Sequence, residues 1–99
     1  MNETKFVMFL KNAGTIKSEK AIKSRVAKAK AAENYLRKNL DIVVSNDMSM
    51  FKALVKLENI DNPSHAPHQN AARWYYKMVN KKEFPRKRAY AKQNGIKYP

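Results

Sequence analysis

Between Ser18 and Lys38 the sequence runs without a glycine or proline, and its apolar residues recur at helical spacing. Ser18 is suited to cap such a helix, and Glu19 stands in its first turn, where a negative charge meets the positive end of the backbone dipole. On a wheel of about 100° per residue, Ile22, Val26, Ala29, Leu36 and Leu40 share one sector, while Lys23, Lys30 and Arg37 form a stripe on a neighbouring face. Alanines at 21, 27, 29, 31 and 32 are small enough for a second helix to approach closely. A long helix through the middle of a helical packing is the expectation.

The flanking segments follow the same logic. Apolar residues at 6, 9, 10 and 13 before Gly14 define a short helix from Glu3 to Asn12, stopped by a residue that tolerates left-handed geometry. Asp41 to Val44 contains a β-branched run too short for a partnered strand, and reads as a packed connection. Met48 to Asn59 is a third helix with Phe51, Leu54, Val55 and Leu57 as its buried stripe, Met48 and Met50 filling gaps beside them. Asn59 to Pro67 has loop composition, with Ser64 and Pro67 placed to open a fourth helix from His68 to Asn80. In that helix at least two of Trp74, Tyr75 and Tyr76 are expected in the core. Residues 81–99, with two prolines, a glycine and many cations, read as a basic arm, extended or a short helix at most, with Phe84 as a tether. The expected organisation is therefore one all-α domain over residues 1–80 and an arm over 81–99.

Charge narrows the function. The chain has 99 residues and a net charge of +13, and its 43% hydrophobic content is too high for a disordered cationic tail. Residues 11–38 hold nine Lys or Arg against two acids, and residues 73–99 hold nine against one. The interval 39–72 holds two against four. A field so divided points to a polyanion, and clustered cations beside aromatic residues suit nucleic acid. Lys17, Lys20, Lys23, Lys30 and Arg37 in the first basic block, and Arg73, Lys77, Lys81, Lys82, Arg86, Lys87 and Arg88 in the second, are the expected phosphate contacts.

Catalytic chemistry finds little support. There is no cysteine, the acids are scattered, Gly14 and Gly95 stand alone, and His65 and His68 have no carboxylate cluster or thiol to complete a metal site. Glu33, alone among the acids on the apolar sector of the long helix, is expected in a salt bridge. No cofactor and no metal are expected. The apolar cluster from Phe6 to Leu10 is too short for a signal core or a membrane span, so a cytoplasmic protein is expected, nucleoid-associated if bacterial.

Two stretches carry a family resemblance. Phe6-x-x-Phe9-Leu10, a Gly turn and Ser18-x-x-Ala21-Ile22 resemble the opening of the SAM-like core-binding domain that precedes the catalytic domain of phage-integrase-type tyrosine recombinases. Asn70-Ala71-Ala72-Arg73-Trp74-Tyr75-Tyr76, running on into Asn80-Lys81-Lys82-Glu83-Phe84-Pro85, resembles that family's Ala-Leu-Arg-x-Tyr-Tyr pattern. The likeness spans about residues 3–85. It implies a compact four-helix SAM-like bundle that grips duplex DNA through basic residues. Arg25 stands where the family usually has an aromatic residue, and Ala29 and Ala32 replace larger apolar ones. A chain ending at Pro99 leaves no room for the family's Arg-His-Arg cluster and nucleophilic tyrosine. The expectation is thus a DNA-binding half, free-standing or part of a recombinase, with Tyr90 and Tyr98 as ordinary surface or docking residues. RNA binding, which would use Trp74 or Tyr76 as stacking platforms, and docking of the cations on an acidic protein are the alternatives; membrane-surface binding is a weaker one.

Overall fold

The 18-residue helix expected from the sequence is the element around which the others are arranged. The computed structural model describes residues 1–14 and 18–99, in which six helices and no strand are found: α1 (Glu3–Asn12), α2 (Glu19–Leu36), α3 (Leu40–Val43), α4 (Asp47–Leu57), α5 (Pro67–Asn80) and α6 (Lys87–Gln93). Asn2, Ser18, Asn39 and Asn46 cap α1 to α4, each accepting a backbone N–H through its side chain. The connection expected at Asp41–Val44 is in fact a single helical turn. Asn39 accepts the Asp41 N–H at 2.8 Å and starts it, and Leu40, Val43 and Val44 are buried while Ile42 is 62% exposed. Gly14 lies just beyond α1 at φ +77°, as a helix stop requires.

Ile22, Val26, Ala29, Ala32 and Leu36 of α2 are all buried, and α2 packs most extensively against α5, where Ala71, Ala72, Tyr75 and Tyr76 complete the contact. Ala29 is fully buried. Ala29→Lys is expected to destabilise the fold by roughly 3 kcal/mol or more, combining overpacking with burial of an ammonium; loss of the cooperative transition in thermal circular dichroism would report it. Two expectations need correction. Met48 is not a core gap-filler: it is 36% exposed, while Met50 alone is enclosed. Ser64 does not open α5 either, since its hydroxyl bonds Asn62. The carboxylate of Asp61 takes the N–H groups of His68 and Gln69 at 3.1 and 2.9 Å, a more effective partner for the positive end of the helix.

Residues 81–99 carry the short helix and the Phe84 tether expected of them, but they pack onto the body instead of standing off as an arm, and Tyr90 is in the core, not at the surface. Phe84, Tyr90 and Ala91 are buried, the Phe84 ring meets Tyr76 edge-on at 5.1 Å, and Tyr90 stacks on Phe51 at 5.2 Å. Tyr98, expected at the surface, is half-buried with its hydroxyl donated to Glu58, and Lys87 donates to Glu58 and to buried Gln69, both at 2.6 Å. The radius of gyration of 13.1 Å is that of one folded unit of this length, with no projecting tail.

Burial alone would raise the Glu58 carboxyl, but the bonds from Lys87 and Tyr98 outweigh it and hold its pKa below the ordinary value. Asp61 is lowered in the same way, against burial, by the amides of Gln69 and His68 and by the His68 ring. Depressed carboxyls give stability that is complete above their unfolded-state pKa and is lost as pH falls through about 4 and below, where the unfolded chain takes up more protons. Thermal midpoints measured from pH 6 down to pH 3 should therefore decline, and Glu58→Gln should make the decline shallower.

Candidate nucleic-acid interface

The acids of this chain are largely occupied in holding the fold together. Asp41 accepts the Tyr75 hydroxyl, Asp47 the Tyr76 hydroxyl at 2.7 Å, and Glu33 the Leu40 N–H at 2.8 Å and the Met1 ammonium at 2.9 Å, the Met1 pairing fulfilling the expected salt bridge. With Glu58 and Asp61, five of the eight acids serve phenols, backbone amides, the chain terminus and the C-terminal clasp. Among the described residues, only Lys30, Lys77 and Lys87 of the lysines and arginines form ion pairs with carboxylates. The remaining cations are unneutralised by contact, so their arrangement decides what the surface can bind.

One face concentrates them. Arg25 and Lys28, three apart on α2, lie across from Asn70 and His65, with Ser24 and Ser64 between, in a shallow depression beside the start of α5. A second depression, lined by Arg73, Trp74, Lys77 and Glu83, shares Asn70 with the first. Trp74 joins the two. Arg25 lies over its ring at 5.5 Å and Lys77 at 5.3 Å, and Phe9 meets it edge-on at 6.1 Å. Partial burial lowers the pKa of Arg25, and Arg25 has no carboxylate within salt-bridge reach. Arg73 is lowered by burial and by the nearby charge of Arg86, with Glu83 acting in the opposite sense; as guanidinium groups, both Arg25 and Arg73 remain cationic at neutral pH.

The expected contacts separate into groups on this surface. Arg73 and Lys77 gather on the α2–α5 face, where Arg73 also donates to the carbonyls of Phe84 and Pro85 at 2.8 and 3.2 Å, and Arg86 lies near enough to Arg73 for their charges to interact. Lys23 and Lys30 do not reach that face. They line a groove between α1 and α2 on the other flank, where Lys30 pairs with Glu3 at 2.6 Å. Lys20 is exposed on the first turn of α2; Arg37 and Lys81 end α2 and α5 in left-handed conformation, exposed, and Lys82 and Arg88 are exposed as well. Lys87 turns inward to Glu58 and Gln69, which takes it out of the interface. Lys17 lies outside the described residues.

Sequence reasoning did not single out Arg25 and Lys28 as candidate contacts. Their signal was present: Ala21, Ser24, Arg25 and Lys28 follow helical spacing on the flank opposite Lys23 and Lys30. His65 and His68 do not share a ligand, because His68 Nδ1 lies 2.6 Å from Asp61 while His65 faces the α2 depression. No group of three His, Cys, Asp or Glu side chains able to hold a metal occurs among the described residues. Compared with models of protein families, with curated proteins and with solved structures, the chain shows no match.

Proposed function

We propose that this chain is a non-catalytic module that binds double-stranded DNA, with the face between α2 and α5 laid against the phosphate backbone. The observation that carries the proposal is the set of Arg25, Lys28, Arg73 and Lys77 lining two adjoining depressions beside Trp74, with Arg86 close enough to Arg73 for their charges to interact and Glu83 the one acid in the lining. Such a cluster neutralises phosphates, and Ser24, His65 and Asn70 add short hydrogen-bonding groups that can reach phosphate or groove edges. Lys20, Lys81, Lys82 and Arg88 add to the surrounding field, as do Lys23, Lys30 and Arg37 on the other flank.

Kinship with the SAM-like core-binding domain of tyrosine recombinases is part of the proposal. α1, α2, α4 and α5 then form the four-helix body, with α3 as a connecting turn and α6 as a C-terminal addition. Burial and hydrogen bonding to Asp41, Asp47 and Glu58 push the phenols of Tyr75, Tyr76 and Tyr98 up to about 12, the reverse of what a nucleophilic tyrosine needs, which favours a binding role over a catalytic one. Duplex is favoured over single strands because Tyr76 is fully buried and Trp74 is already covered by Arg25 and Lys77. Among the described residues no helix is long and apolar enough to cross a membrane; the proposed setting is the cytoplasm, or the nucleoid if bacterial.

Competition fluorescence anisotropy tests the reading. A labelled duplex should be displaced by unlabelled duplex at lower nucleotide concentration than by single-stranded DNA or RNA. Preferential displacement by RNA would replace the proposal with single-strand recognition. Absence of any binding at low salt would leave an acidic protein as the ligand for these cations.

A further inference from the structure

Of the side chains lining the depression between α2 and the start of α5, His65 alone belongs to a residue type that changes charge near neutral pH. It is exposed, and Arg25 and Lys28 stand across from it on α2. Ala66, Pro67 and Asn70, at the start of α5, add no charge, and no carboxylate lines the depression. The acid of its own loop, Asp61, is committed to the His68 ring and to two backbone amides. Ser64 and Asn62 decide which ring nitrogen is open. Asn62 Oδ1 accepts the Ser64 N–H at 2.9 Å, which identifies it as the amide oxygen, and it also accepts the Ser64 hydroxyl at 2.7 Å. With its hydrogen given to Asn62, the Ser64 oxygen can only accept from His65 Nδ1, 3.4 Å away. In the neutral ring Nδ1 then carries the hydrogen, and Nε2 is the atom that takes up a proton.

We propose that His65 holds a phosphate of the duplex as an imidazolium, with the added proton on Nε2, so that DNA binding takes up a proton and tightens as pH falls; this rests on the duplex reading and adds a pH response to it. A third positive charge beside Arg25 and Lys28 has no counter-charge in the depression until a phosphate supplies one. The complex therefore favours the charged ring more than the free protein does. His68 does not serve the same purpose, because its Nδ1 is bound to Asp61, a carboxylate that is present with or without DNA. A proton bound more tightly in the complex strengthens binding fully below the range in which a free imidazole titrates, and the gain is lost as pH rises past that range.

Duplex affinity measured by anisotropy at constant salt should be about fivefold higher at pH 5.5 than at pH 7.5, the change produced if a phosphate strengthens proton binding about tenfold around the ordinary imidazole value of about 6.5. Calorimetric titration at pH 7 in two buffers of different ionisation enthalpy should count about half a proton taken up per duplex bound. His65→Gln, at an exposed position, should remove both effects and leave the thermal transition unchanged. His65→Arg should bind at pH 7.5 about as tightly as the wild type does at pH 5.5. Equal duplex affinity of the wild type at the two pH values, or a pH response that persists in His65→Gln, would overturn the inference and leave the duplex reading standing. Absence of duplex binding at both pH values would overturn the duplex reading itself, and this inference with it.

Discussion

Reversing Arg25, Lys28 and Lys77 together to glutamate is expected to weaken duplex binding by on the order of 100-fold at constant salt. Each of these cations is placed to neutralise one phosphate, so the slope of log K against log salt should also become shallower by about 3. Reversal at Lys23 and Lys30 should have a much smaller effect, because they stand on the α1 flank, away from the face between α2 and α5. The fold should survive the triple change. Arg25 and Lys77 lose their contacts with Trp74, roughly 0.5–1 kcal/mol each at a partly exposed site, and none of the three side chains is in the core. Circular dichroism on the same samples separates loss of binding from loss of structure.

Phe84→Ala should destabilise the protein by about 3–5 kcal/mol, the usual cost of truncating a buried phenylalanine. Its ring is wedged between Tyr76 at 5.1 Å and Tyr90 at 5.2 Å, and its carbonyl accepts from Arg73. Truncation would open a cavity at the junction between the C-terminal segment and α5. In a domain near 100 residues a change of this size lowers the thermal midpoint by more than about 12 °C. A segment attached as a loose arm would show almost no change, so urea unfolding of this variant measures how far residues 81–99 belong to the body.

Local periodicity made most of the body legible. The stripes of α1, α2, α4 and α5 are each set by residues three and four apart, and the Gly14 stop and the Ser18 cap operate within a single turn. What was not legible depends on contacts between distant residues. Phe84, Tyr90 and Tyr98 look like isolated aromatics in a basic tail until Phe51, Tyr76 and Glu58, from other helices, are brought beside them. The same holds for charge: the sequence shows where lysines fall, but not that Lys87 is drawn inward by Glu58 or that Lys30 is paired with Glu3. α3 was obscured for a different reason. Its β-branched residues favour extended backbone, and the Asn39 cap with burial of Leu40 and Val43 overrides that preference.

The candidate interface shows the same division. Arg73 and Lys77 were identified because they lie beside aromatic residues in the chain, whereas Arg25 and Lys28 join them only through the packing of α2 on α5. The measurement that tests this interface most directly is the affinity for a labelled duplex over a series of salt concentrations. If Arg25, Lys28, Arg73, Lys77, Arg86 and one neighbouring lysine neutralise about six phosphates, log K should fall against log salt with a slope near −5, and the triple reversal should bring it to roughly −2 to −3. A slope close to zero, or the same slope in wild type and triple variant, would contradict the account.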